Sequence, residues 1–180
     1  MLTRYTKTLL TKSIQVAMFF MTTTIYAQNN FQREWDYRYG GTKDEKLKVF
    51  LPTYDKGYLL AGSSLSINDG DKTQGSNGSW DYYVVRTDSA GVRLWDARFG
   101  GSLEDELTCV LQTGDGGFLL GGFSRSGISG DKSEANWDQT THNYADYWIV
   151  KINAQGVKQW DKRFGGIYED KLNAIVISGD

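Results

Sequence analysis

Three stretches of the chain align without gaps: WDYRYGGTKDEKL from Trp35, WDARFGGSLEDEL from Trp95 and WDKRFGGIYEDKL from Trp160. They are spaced by 60 and 65 residues, and a tryptophan, an aspartate, an arginine, an aromatic, two glycines, two carboxylates and a leucine recur in register. A period of this length marks a chain built from similar supersecondary units, each of which buries its apolar face against the next. The following stretches match as well: KVFLPTYDKGYLLAGSS with TCVLQTGDGGFLLGGFS, the two GDK triplets at Gly70 and Gly130, and DYYVVRTDSAGVRLW with DYWIVKINAQGVKQW. The second unit is five residues longer, and the extra length falls in a polar loop, where insertions are tolerated.

Each unit holds four strand-like runs. In the second they are predicted at Glu106–Thr113, Gly117–Ser124, Tyr147–Asn153 and Val157–Phe164. Simple alternation in the first run puts Leu107, Cys109 and Leu111 on one side. TGDGG and NAQG read as glycine-bearing hairpin turns. Aromatic residues at 14%, 21 glycines and one proline suit many short strands, and no pattern asks for a helix in the repeat region. The expected fold is all-β: a β-propeller-like array of four-stranded antiparallel blades, incomplete in this chain. The units run from about 46 to 105 and 106 to 170, and a partial third follows. The ending NAIVISGD corresponds to the close of a first strand, while REWDYRYGG after the N-terminal segment copies a last strand. The expectation is a fragment of a longer chain, whose end strands would share one blade and whose apolar faces are open when it stands alone.

Residues 1–27 differ from the rest. Arg4, Lys7 and Lys12 precede an uncharged, largely apolar run from Ile14 to Tyr26, and Ala27 offers a small residue for cleavage. This is the pattern of a secretory signal peptide, too short and too rich in threonine for a membrane span. Its removal leaves 28–180 as the repeat region, with 17 basic and 22 acidic residues and a formal net charge of −5. No basic patch points to nucleic acid, and no later segment is apolar enough to span a membrane. The expected location is secreted or at the cell surface. Cys109 stands alone, so no internal disulfide is expected, and its strand setting predicts a small buried apolar role.

The recurring residues read as scaffold. Trp35, Trp95 and Trp160 are expected to pack between blades. Asp36 with Arg38, Asp96 with Arg98 and Asp161 with Arg163 lie two apart on a strand, hence on one face. Either a same-face ion pair or an arginine bridging to Asp44/Glu45, Glu104/Asp105 and Glu169/Asp170 is expected. Paired carboxylates also serve glycosidases, but a pair repeated in every unit is not one asymmetric site. The glycine pairs Gly40–Gly41, Gly100–Gly101 and Gly165–Gly166 imply positive φ or close backbone approach. Specificity is expected where units differ, in the loops Leu65–Trp80 and Arg125–Ala145. There Trp80, Trp137 and His142 are the ligand-binding candidates, with stacking on a sugar set against packing over the blade edge. NDGD resembles a calcium loop only faintly, through Asp69 and Asp71. His142 is the only histidine, so no histidine-rich metal site is expected; nor are catalytic residues or a cofactor.

On GDGGFLLGGFSRSGISGDKSE, DYWIVKINAQGVKQWDKRFGG and the signal ending YAQ, the chain resembles secreted repeat proteins of gliding-type bacteria, many of which carry a C-terminal sorting domain of the type IX secretion system. That resemblance implies export and a propeller-like fold, and brings no activity with it. The sorting domain itself is not in this sequence. A weaker likeness to quinoprotein propeller repeats rests on Asp88–Gly91–Trp95 and Asn153–Gly156–Trp160. The threonine expected before the glycine is Ala90 and Gln155, so the likeness extends to blade geometry and not to cofactor binding. The leading functional expectation is a non-enzymatic exported module that binds a polysaccharide or a surface protein. The alternatives are part of a secreted carbohydrate-active or other hydrolytic enzyme with catalytic elements beyond residue 180, and a purely structural stalk.

Overall fold

The structure, a computed structural model, describes residues 35–138 and 142–178. The expected signal peptide lies outside them. Eight strands follow in chain order: β1 (Glu45–Pro52), β2 (Tyr58–Ser64), β3 (Asp81–Thr87), β4 (Arg93–Phe99), β5 (Asp105–Gln112), β6 (Phe118–Ser124), β7 (Asp146–Ile152) and β8 (Lys158–Phe164). They form two four-stranded antiparallel sheets, β1-β2-β3-β4 and β5-β6-β7-β8, each a meander of neighbours in sequence. One repeat makes one sheet. Among the described residues the two sheets close into neither a barrel nor a propeller ring.

The inner edge strand departs from simple alternation. The pairing of β5 with β6 steps from Leu107↔Gly122 to Cys109↔Gly121, leaving Thr108 as a bulge. An extra residue inverts the facing of everything beyond it. Leu107 therefore shares a face with Val110 and Gln112, while Cys109 and Leu111 lie on the other, contrary to the reading by period alone. The same bulge recurs in β1 between Leu47 and Val49. Cys109 is half-buried rather than buried, and desolvation pushes its thiol pKa up.

We call front the face of each sheet that carries Leu107, Phe118, Leu120, Trp148, Val150 and Ile152 in the second. The back of the first sheet carries Leu59, Ala61, Tyr82, Val84, Ala97 and Phe99. These two sets make one continuous core, all at most 5% exposed. The Tyr82 and Trp148 rings meet at 5.0 Å, and the Tyr82 hydroxyl donates to the Trp148 carbonyl at 3.0 Å. The sheets thus stack back to front; Trp35, Tyr37 and Tyr39 lie against the front of the first, where Tyr83 and Val85 are buried, and Leu172 and Ile175 against the back of the second.

The hairpin turns differ at one residue. Gly116 sits at φ 79° in the second repeat, and Lys56 occupies the equivalent left-handed position at φ 69° in the first. A side chain there costs about 1 kcal/mol relative to glycine. The outer hairpins are held by a single side chain each. Asp88 Oδ1 accepts the N–H groups of Ala90 and Val92, and Asn153 Oδ1 accepts those of Gln155 and Val157.

Candidate functional site

The recurring WDxRxGG and GDK motifs meet at the seam between successive repeats. Arg98 of the first repeat donates to Asp131 of the second at 2.5 Å, and the Asp131 N–H donates to the Gly100 carbonyl at 2.9 Å. One period earlier, Arg38 reaches Asp71 at 3.1 Å and the Asp71 N–H reaches Gly40 at 2.8 Å. The arginine therefore links its own repeat to the next. It makes neither of the expected contacts with the aspartate two residues before it or with the Glu104/Asp105 pair. The reason is reach: a long guanidinium crosses the seam, whereas the shorter aspartate stays within its repeat. Asp96 accepts the N–H and hydroxyl of Thr73 at 2.9 and 2.8 Å, and Asp161 accepts the Ser133 N–H at 2.9 Å. Arg163 has Asp146 at 3.5 Å, and its Nε is buried without a hydrogen bond.

The tryptophans work at the same seam. The Trp95 indole lies over Gly156 of the following repeat and donates from Nε1 to the Ala154 carbonyl at 3.1 Å. Trp35 lies over Gly91 in the same way, while Trp160 is 44% exposed. Gly91 and Gly156 hold φ 79° and 78°, and a methyl group on either would come within 2.7 or 2.8 Å of the ring above. At the paired glycines the requirement is close approach: a Cβ on Gly100 would lie 2.1 Å from Asp81 Oδ1. The second carboxylate of two of the pairs closes that turn, with Gly101 N donating to Asp105 and Gly166 N to Asp170, both at 2.7 Å, while Glu45 accepts from the Ser64 hydroxyl. Asp36 is exposed, at the start of the described residues.

Beneath each GDK loop lies a buried lysine. Lys72 donates to Ser64 Oγ at 2.6 Å and stands 4.2 Å from the Tyr83 ring; Lys132 donates to Asn136 Oδ1 at 2.8 Å and to the Glu134 carbonyl at 2.6 Å. Burial pushes the Lys132 pKa down to about 8. Burial also raises the Asp105 carboxyl and brings that of Asp81 up to about 7, although the Asn77 N–H donates to Asp81. Glu169 goes the other way. Partial burial raises it, but hydrogen bonds from Arg125 and Lys171 prevail and hold it at about 2.

The ligand candidates lie on different repeats. Trp80 is half-buried under the Lys46 ammonium, 3.8 Å from the ring centre. Trp137 is 58% exposed and stands 5.5 Å from the Arg163 guanidinium, beside an open cleft of about 800 Å³ that Glu134, Asn136 and Ile128 also line. His142 is exposed and stacks on Tyr144 at 5.3 Å. Trp137 stands where the first repeat has Asn77, since each donates its N–H to the aspartate that opens the third strand of its sheet. Of the calcium candidates, Asp69 accepts the N–H and hydroxyl of Thr42, and Asp71 is the partner of Arg38. Among the described residues no three potential ligands gather into a metal site, and no helix is long and apolar enough to cross a membrane. No protein-family model matches the chain, and the curated proteins hold no significant relative of it.

Proposed function

We propose that this chain is an exported, non-enzymatic repeat protein, a binding or scaffold module at the cell surface or outside the cell, with its sheets as blades of a propeller-like array. The observation that carries this reading is where the repeated polar residues are spent. Arginines pair with aspartates between repeats, carboxylates close the glycine turns at Gly101 and Gly166, and a buried lysine lies under each GDK loop. The carboxyls raised by burial, Asp81, Asp105 and Asp146, are fully buried, which suits a scaffold and not an acid that must meet a substrate. The second repeat has Trp137 where the first has Asn77, in the longer of the two loops, which also bears His142. A ligand that touches this protein is therefore sought there, and a polysaccharide fits an exposed indole among polar side chains.

Export is tested by fusing residues 1–27 to a reporter lacking its own signal, with secretion expected. Binding is tested on a polysaccharide array: retention that Trp137→Ala abolishes supports the reading, and retention of no glycan removes the binding role in favour of a scaffold.

A further inference from the structure

We propose that Lys132 and Asn136 become joined by an intramolecular amide cross-link, lysine Nζ to asparagine Cγ, in the loop that carries the second GDK motif. The two side chains already meet in the interior. They are 2% and 5% exposed, and Lys132 Nζ donates to Asn136 Oδ1 at 2.8 Å. The carboxamide is held in one orientation, because its Nδ2 donates to the Ser124 carbonyl at 2.8 Å and to the Tyr144 carbonyl at 3.0 Å. Carbonyls accept only from the nitrogen, so the oxygen faces the amine, and the acyl carbon that bears it stands next to the nucleophile. Burial favours the neutral, nucleophilic amine: it brings the Lys132 pKa down to about 8, helped by Arg163 and opposed by Asp105, Asp146 and Asp161.

A proton carrier stands at the same end of the sheet. Asp105 and Asp146 pair in register with Ser124 from either side, and each has its Oδ1 buried without a hydrogen bond. Asp146 faces the Arg163 guanidinium at 3.5 Å, which favours its charged form, whereas Asp105 accepts from the Ser126 hydroxyl and the Gly101 N–H. Asp105 is therefore the acid. The Nζ lone pair adds to Cγ, a proton passes from Nζ to Nδ2 by way of the Asp105 carboxyl, and the Cγ–Nδ2 bond breaks with its electron pair leaving on nitrogen. One C–N bond forms, one breaks, and ammonia departs, so no oxidant or other reactant is needed. The product removes a charge from a buried site. The first repeat lacks the electrophile. Ser76 stands where Asn136 stands, since its hydroxyl takes the Ser64 carbonyl as Asn136 takes that of Ser124, and Lys72 donates to the Ser64 hydroxyl at 2.6 Å. A serine offers no acyl carbon, so the link is expected in the second repeat and not in the first.

The test is tryptic peptide mapping of the folded, unsubstituted chain by mass spectrometry. The link blocks cleavage after Lys132, so residues 126–151 are expected as one peptide, lighter by one ammonia, about 17 Da. Fragmentation must place the loss between residues 132 and 136, because an N-terminal glutamine and the Asn77–Gly78 pair can also shed ammonia. An ordinary peptide SGISGDK, residues 126–132, from the folded chain overturns the proposal, as does a loss found only elsewhere. Asn136→Ser, which installs the residue of the first repeat, and Lys132→Arg are each expected to restore the full mass of this region; a loss that survives Asn136→Ser also refutes the link. Asp105→Asn is expected to slow its formation about a hundredfold in a refolding time course, and an unchanged rate overturns the role given to Asp105. The map of the unsubstituted chain stands whether or not these variants fold.

Discussion

At the scale of single residues, the seam concentrates its strength in a few groups. Arg98 and Asp131 are mostly buried and meet at 2.5 Å, so a double-mutant cycle with Arg98→Ala and Asp131→Ala is expected to give a coupling of about 1–3 kcal/mol in denaturant unfolding. Lys56→Gly is expected to stabilise by about 1 kcal/mol, because glycine accepts φ 69° without strain. Asp81 sets a pH dependence. Its carboxyl is raised from 3.8 to about 7, chiefly by burial, so the folded chain holds a proton that the unfolded chain has released across that window. Stability therefore falls as pH rises from about 4 to 7, the reverse of a salt-bridged carboxylate. Denaturant midpoints measured across this range should show the slope, and Asp81→Asn should flatten it. The aspartates and arginines of the repeat were legible as structural partners in the sequence. Their actual partners were not, since a two-residue spacing fixes a shared face and says nothing of how far each side chain reaches.

At the scale of elements, alternation identified strands and turn residues bounded them, because four short apolar runs separated by TGDGG and NAQG have few other solutions. What alternation misjudged was the facing of the inner edge strand. The bulges at Lys48 and Thr108 are created by pairing with the neighbouring strand, and no local signal marks them. The outer hairpin adds a contact of its own, Trp95 on Gly156. Gly156→Ala is expected to destabilise by about 2 kcal/mol or more, since it strains a left-handed turn and presses the indole. Trp95→Ala, which removes a half-buried ring and its hydrogen bond, should cost roughly 2–4 kcal/mol in thermal or chemical melting. A melting temperature unchanged by either substitution would mean that the seam does not hold the repeats together.

At the scale of the whole molecule, the back of the first sheet packs on the front of the second, and several outer residues keep the chemistry of the covered ones. Leu47 and Phe164 are exposed although they do not differ in kind from the buried Leu107 and Phe99. The sequence alone determined the repeat, the all-β class, the four strands per unit and the positions of the turns. Those properties come from period, propensity and glycine chemistry, which act over a few residues. Only the tertiary structure decided that the arginine of one repeat binds the aspartate of the next, that the lysine of GDK is buried, that the bulge turns Cys109 away from Leu107, and that Trp80 is covered by Lys46 while Trp137 stands open. Each of these depends on groups distant in the chain arriving at the same place, which packing of one sheet on another brings about and local sequence cannot encode.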